Sequence, residues 1–244
     1  MNIDKKYYQE INENLTNTIQ DTNISAPNKK VGKVRDAYFL NDKVVMISTD
    51  RQSAFDRVLA AIPYKGAVLN SVSAWWFKKT EHLFPNHLIS TPDPNVSIVE
   101  KCTVFPVEFV VRGYITGTTD TSLWTVYNNG DREYCGNSLP EGLKKNDKLD
   151  KPMLTPTTKD KVHDRPVSRE EIIDLGLMSA EDYDLAAKMS LDLFAFGQET
   201  AKKNGLILVD TKYEIGTDSK GKIKFVDEIH TPDSSRFWIS SSYK

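Results

Sequence analysis

Leu206-Ile-Leu-Val-Asp-Thr-Lys-Tyr-Glu-Ile-Gly216 begins as an aliphatic run and then alternates charged residues with Thr, Tyr and Ile. A strand sends successive side chains to opposite faces, so Asp210, Lys212 and Glu214 share one face while Thr211, Tyr213 and Ile215 share the other. The stretch therefore predicts a strand that leaves a buried core carrying one charged face. Thr217–Gly221 has turn composition and Lys222–Glu228 returns as a second strand, which makes a hairpin. If Ile215 pairs with Lys222, Asp210 falls opposite Asp227; a slip of one residue brings Glu228 there instead. Either register gathers carboxylates around Lys212. On the residues alone two readings stay open. One is a divalent cation shared with phosphate, since Mg²⁺ takes one or two carboxylates plus phosphate oxygens; the other is an ordinary ion-pair network.

Working back from this hairpin, Ser179 with Asp182 opens a helix closed by Gly205, and Ser168 with Glu171 opens a shorter one closed by Gly176. Glu133–Lys161 is polar and contains proline, which predicts a long functional or disordered loop. Thr121–Tyr127 predicts a short helix stopped by Asn128-Asn129-Gly130. Ile98–Phe105 and Val107–Arg112 are strand-like, preceded by the linker composition Thr91-Pro-Asp-Pro-Asn95, which suggests a hinge near residues 105–113. Ala67–Leu83 has helical spacing, with Trp75-Trp76 assigned to packing. Val31–Leu40, Asn41-Asp42 and Lys43–Ser48 predict a hairpin, and Thr49–Arg57 an irregular polar stretch. Ile3, Tyr7, Ile11, Leu15 and Ile19 recur every four residues, as in an amphipathic helix. Strands and helices come in blocks, not as regular βαβ units, so the expected class is α+β in two lobes, residues 1–110 and 111–244.

The 244 residues carry 32 Lys+Arg against 34 Asp+Glu, a formal net charge of −2, which excludes a globally basic nucleic-acid binder. Cys102 and Cys135 make no disulfide framework or Cys-x-x-Cys pair. No apolar run approaches the roughly 20 residues needed to span a bilayer, and the first residues show no apolar signal core. A cytoplasmic protein with no membrane partner is expected.

Four further segments carry functional side chains. Asn28-Lys-Lys-Val-Gly-Lys-Val-Arg-Asp36 sets Gly32 among Lys30, Lys33 and Arg35, without a P-loop pattern. A hairpin of this kind covers nucleotide phosphates in kinases; a solvated basic strand is the plainer alternative. Ser48–Asp56, Val111–Thr118 and Thr231–Trp238 each set an arginine among hydroxyls or glycines, suited to carboxylate or phosphate capture. His163 and Asp164 form no metal motif, and no nucleophile–base arrangement is readable.

Gly32-Lys-Val-Arg-Asp36, Ser48–Asp56, Val111–Thr118, Asp210-Thr-Lys-Tyr-Glu-Ile-Gly216 and Asp227–Trp238 together, in this order, resemble the SAICAR synthetase family (phosphoribosylaminoimidazole-succinocarboxamide synthases) over nearly the whole chain. The resemblance implies a kinase-small-lobe-like antiparallel sheet domain followed by an ATP-grasp-like domain. It implies ligation of L-aspartate to carboxyaminoimidazole ribonucleotide (CAIR) with ATP and Mg²⁺, through an acyl phosphate. Carried over position by position, it puts Gly32, Lys33, Arg35, Lys159 and Lys212 at the ATP phosphates and Glu214 and Asp227 on Mg²⁺, with Lys212, Glu214 and Asp227 as the catalytic set. It puts Arg112, Thr118 and Arg236 on the ribonucleotide, Ser53 and Asp56 near it, and His163 and Asp164 by the aspartate and imidazole. Small molecules are the implied partners, not a nucleic acid polymer. Family members continue beyond the Arg-Phe-Trp segment into a basic helix, whereas this sequence stops at Lys244. Two rivals from other classes are an inositol-polyphosphate-kinase-like phosphotransferase, which would not need aspartate, and a nucleotide-binding regulatory domain without turnover.

Overall fold

The structure, a computed structural model, describes residues 5–54, 57–159 and 165–243. The chain gathers into two compact units: one spans Met1–Lys78 and His87–Lys101, the other Lys79–Asn86 and Cys102–Lys244.

In the first unit, α1 (Lys5–Glu13) is followed by β1 (Lys29–Val31), β2 (Arg35–Phe39), β3 (Lys43–Ser48), β4 (Arg51–Ala54), β5 (Arg57–Ala61), α2 (Lys65–Thr80), β6 (Leu88–Asp93) and β7 (Val96–Glu100). An antiparallel sheet runs in the order β1-β2-β3-β7-β6. Helix α2 buries Leu69, Asn70, Ser73, Trp76 and Phe77, a stripe at spacings of three and four. Trp76 is in this core, while Trp75, edge-on to it at 4.9 Å, is exposed. Helix α1 ends at Glu13, short of the expected Ile19, and its Tyr7 and Ile11 face solvent.

Three expectations change here. The strand expected over Val31–Leu40 is interrupted at Gly32-Lys33-Val34, a tight turn in which the Gly32 N–H donates to the Arg35 carbonyl at 2.8 Å. A Cβ on Gly32 would lie 2.8 Å from that same oxygen, so a side chain there opens the turn. Thr49–Arg57 contains the paired strands β4 and the start of β5 rather than irregular chain. Thr91–Asn95 is no linker: it ends β6 and turns into β7, with Asp93 Oδ1 accepting from the Asn95 N–H at 2.9 Å. Pro92 is tolerated because β6 is an edge strand.

The second unit holds β8 (Thr103–Tyr114), α3 (Leu123–Asn128), β9 (Glu133–Tyr134), β10 (Asn137–Ser138), β11 (Lys148–Leu154), β12 (Thr157–Thr158), α4 (Arg169–Asp174), α5 (Ala180–Lys203), β13 (Leu206–Thr217), β14 (Ile223–Val226) and β15 (Ser235–Ile239). Its antiparallel sheet runs β11-β8-β13-β14, with β12 also on β8 and β15 also on β13. The sequence-based division after residue 110 falls inside the continuous β8, whereas the two units part at Lys101/Cys102. Glu133–Lys161, expected as a loop, supplies β9 to β12, and β11 and β12 both pair with β8.

Helix α5 lies on one face of this sheet because Tyr183, Ala186, Met189, Leu193, Phe194, Gly197 and Ala201 make a continuous buried stripe. The Tyr183 and Phe109 rings meet at 5.7 Å. Gly197 permits the close approach: a Cβ there would lie 2.4 Å from His230 Cε1. The Tyr213 hydroxyl is hydrogen-bonded to His230 Nε2, and burial pushes the His230 pKa down to about 3, which keeps the imidazole neutral.

The register of the last hairpin differs from both expected ones. Ile215 pairs with Phe225 and Glu214 with Val226, because Asp218 Oδ1 accepts from the Lys220 and Lys222 N–H groups, each at 2.9 Å, and lengthens the turn. Asp210 therefore lies beyond the end of β14. It pairs instead with Arg112 on β8 and Arg236 on β15.

Candidate active site

Strand β13 alternates as expected: Thr211, Tyr213 and Ile215 are buried, and the opposite face carries Asp210, Lys212 and Glu214. Strand β8 runs beside it with the same period. Val107, Phe109 and Val111 are fully buried, and on the alternate positions Glu108 and Arg112 project to the charged face. The register sets Glu214 directly opposite Glu108, a like-charge pair that repels without a cation. Lys212 supplies it, its Nζ 2.7 Å from Glu108 Oε1 and 3.1 Å from Glu214 Oε1. Lys159, just past β12, pairs with Glu214 Oε2. Burial draws the Lys212 pKa down, but Glu214, Glu108 and Asp227 more than offset it, so the ammonium is held above its ordinary range. Asp227 follows β14 with a φ of 64°, in the left-handed region, and acts on Lys212 by charge. It does not face Asp210, contrary to the expected register. Glu228, the alternative, accepts from the Thr231 hydroxyl at 2.5 Å.

The second cluster is built on Asp210. Arg236 donates from Nε to Asp210 Oδ1 at 2.8 Å and from its terminal nitrogen to Oδ2, a bidentate pair. The Arg112 guanidinium lies 3.7 Å from the same Oδ2, and its Nε donates to Thr155 Oγ1 at 2.9 Å. Asp210 thus serves as a bracket for two arginines and stands apart from the carboxylates around Lys212. The hydroxyls of the Thr231–Ser235 turn are engaged within the fold: Ser234 N–H donates to Thr231 Oγ1 at 3.1 Å, and Thr211 and Ser235 hydroxyls meet at 2.7 Å. Of that segment's expected ligand-binding side chains, Arg236 is the one on the charged face.

In the first unit, Lys33 is exposed at the Gly32 turn and Arg35 opens β2 half-buried. Ser53 is half-buried in β4. Thr118 is exposed on the loop after β8, beyond Gly117. Asp56, His163 and Asp164 lie outside the described residues. Sequence reasoning missed Glu108 and Thr155 and misread Asp210. The alternation Val107-Glu108-Phe109 was the available signal for Glu108. Among the described residues, no group of three or more His, Cys, Asp or Glu side chains forms a metal cage by itself.

A family model described as SAICAR synthetase matches residues 28–244. The chain belongs to the SAICAR synthetase family. Phosphoribosylaminoimidazole-succinocarboxamide synthase of Legionella pneumophila strain Lens is 58% identical over 226 residues, 93% of this chain and 72% of that protein. The chloroplastic enzyme of Vigna aconitifolia is 56% identical over 234 residues, 94% of this chain and 69% of that one. Among solved structures, the SAICAR synthase of Saccharomyces cerevisiae complexed with SAICAR superposes with a TM-score of 0.81 at 33% identity, covering 93% of this chain and 81% of its own. A type-2 SAICAR synthetase in complex with ADP gives 0.75 at 27% identity, covering 89% and 86%. The chain is thus an ATP-dependent ligase of purine biosynthesis that joins L-aspartate to the carboxylate of CAIR, giving SAICAR, ADP and phosphate. Its α+β class agrees with these relatives, and among the described residues no helix is long and apolar enough to cross a membrane.

Proposed function

We propose that the charged face shared by β8 and β13 is where this ligase holds phosphate, Mg²⁺ and the ribonucleotide. Glu214 and Asp227 hold the ion, a donor set that suits Mg²⁺ because this ion takes only one or two carboxylates when phosphate oxygens complete its shell. Bound there, Mg²⁺ neutralises charge on the phosphoryl group in transfer. Lys212 and Lys159 take phosphate oxygens, and Lys212, Glu214 and Asp227 form the catalytic set. Arg112 and Arg236 grip the anionic ribonucleotide, with Thr118, Ser53 and Asp56 near it, and His163 and Asp164 serve the aspartate and imidazole. In the first unit, the kinase-small-lobe-like ATP-binding part, Gly32 allows close approach and Lys33 and Arg35 contact the ATP phosphates. The second unit is the ATP-grasp-like part.

A carboxylate oxygen of CAIR attacks the γ-phosphorus and ADP leaves, giving the acyl phosphate. The aspartate amine then adds to the acyl carbon, phosphate departs with that oxygen, and the amine gives up a proton. Such a sequence asks for positioning and charge neutralisation more than for a protein nucleophile. The observation that carries the reading is the shared face itself: Lys212 bridges Glu108 and Glu214, and on the same strand Asp210 brackets Arg112 and Arg236. A cytoplasmic setting is part of the reading, supported by Cys102 and Cys135 not being joined in a disulfide.

Glu214→Gln tests it. The variant is expected to lose Mg²⁺-dependent ADP release while its melting temperature stays close to the parent's. Undiminished turnover across a Mg²⁺ titration would overturn the assignment.

A further inference from the structure

Arg51 belongs to a segment expected to capture an anionic ligand, yet its guanidinium is turned inward and the residue is only 8% exposed. It donates from Nε to the Lys33 carbonyl at 3.1 Å and from NH2 to the Gly32 carbonyl at 3.1 Å. The same NH2 reaches Asp36 Oδ1 at 2.7 Å, and NH1 reaches the Gln20 carbonyl at 2.5 Å. The next carbonyl, that of Val34, accepts from the Thr49 N–H at 2.9 Å and from the Thr49 hydroxyl at 2.7 Å. Three consecutive carbonyls of the Gly32 turn are therefore held from one short segment, residues 49–51.

That segment is itself anchored. Asp50 accepts from the Ile19 N–H at 2.8 Å and the Gly66 N–H at 2.9 Å, and Ser48 N–H donates to the Asn95 carbonyl at 2.8 Å. Asp36, fully buried, is fixed on its other oxygen by the Thr22 hydroxyl at 2.7 Å and Lys29 at 3.1 Å. A glycine turn free in solution would lose conformational entropy each time it closed on a ligand. Here a planar fork with several fixed donors ties the turn down beforehand, a geometry that lysine cannot copy.

We propose that Arg51 is a positioning residue for the nucleotide: it holds the Gly32-Lys33-Val34 turn in its ligand-ready shape, so that Lys33 and Arg35 meet the ATP phosphates without a folding step. The inference rests on the reading that Lys33 and Arg35 contact ATP. The test measures KM for ATP, CAIR and aspartate, with melting temperatures, in Arg51→Lys, Thr49→Val and Lys33→Met. Arg51→Lys is expected to raise the ATP KM roughly tenfold or more with the CAIR and aspartate values within about twofold. Thr49→Val, which leaves the Arg51–Asp36 pair intact, is expected to give a smaller rise of the same selectivity, and it decides the matter if Arg51→Lys does not fold. A uniform rise in all three KM values, or a lower melting temperature with an unchanged ATP KM, overturns the proposal while an ATP effect in Lys33→Met leaves the underlying reading standing. An unchanged ATP KM in Lys33→Met removes that reading and the proposal with it.

Discussion

Replacing Asp210 by Asn is nearly isosteric and probes the arginine bracket directly. The amide keeps one oxygen to accept from Arg236 Nε but puts an NH₂ group where Oδ2 stood. That group then faces two donors, the Arg236 terminal nitrogen and the Arg112 guanidinium, 3.7 Å from Oδ2 in the parent. A hydrogen bond to a charged group contributes about 1.5–3 kcal/mol. The Asp210 side chain is 8% exposed and that of Arg112 12%, so solvent screens this loss little; Arg236, at 45%, has water to fall back on. Removal of one such charged hydrogen bond, about 1.5–3 kcal/mol, corresponds to roughly a 10- to 150-fold weaker grip on the ribonucleotide, at 1.4 kcal/mol per factor of ten. The assay is steady-state ADP release against CAIR concentration at saturating ATP and aspartate, repeated against ATP concentration. The CAIR KM is expected to rise by that factor while the ATP KM moves by less than about threefold. A CAIR KM within twofold of the parent's, in a variant that melts normally, would refute the idea that Asp210 positions the two arginines.

Arg236→Lys keeps the charge but gives up the bidentate contact with Asp210, so a raised CAIR KM is expected, and unchanged KM and kcat in the same assay would count against the role. The first unit carries a pH signature at Asp36. Burial, the largest single influence there, raises its pKa, but hydrogen bonds from Arg51, Thr22 and Lys29 together hold it below the ordinary aspartate value of 3.8. A carboxyl depressed on folding adds stability above its unfolded pKa and loses it as pH falls through the folded value. The melting-temperature gap between the parent and Asp36→Asn is therefore expected to be widest near neutral pH and to shrink below about pH 4. A gap that is constant down to about pH 3 would show that the carboxylate charge is not what stabilises this unit.

The charged face was legible because it needed only the two-residue period of a strand. Lys212 and Glu214 share a face, and Tyr213 and Ile215 fill the core beneath, as the alternation required. What failed was register. Whether Thr217 turns back tightly or loosely depends on how Asp218 is used, and its two backbone hydrogen bonds lie inside the turn where periodicity carries no information. That offset moved Asp210 from a supposed carboxylate cluster to a pair of arginines. Composition misled at Thr91–Asn95, where two prolines with Asp93 and Asn95 suggested a linker but the end of an edge strand and the turn after it accommodate them. It misled again at Glu133–Lys161, where β11 and β12 are formed by pairing with β8 and β9 with β10 by pairing with each other, partners that the local composition does not reveal. Arg51 reads in the sequence as a cation in a turn; that its charge faces inward depends on Asp36, fifteen residues away, which no local pattern links to it.

Residues 79–86 belong with the second unit, although the chain on either side of them belongs with the first. They are held there by the Phe225 N–H, which donates to the Pro85 carbonyl at 2.9 Å, and by the Phe84 and Phe225 rings at 6.1 Å. The polypeptide consequently changes unit after Lys78, after Asn86 and after Lys101. No single scission yields both units whole. A fragment ending at Lys101 carries off the piece that backs β14, and one beginning at Lys79 carries off β6 and β7. Neither unit can be inherited, expressed or lost as one uninterrupted stretch of gene, so a two-piece version of this enzyme would have to work by complementation, each fragment lending its partner the missing segment.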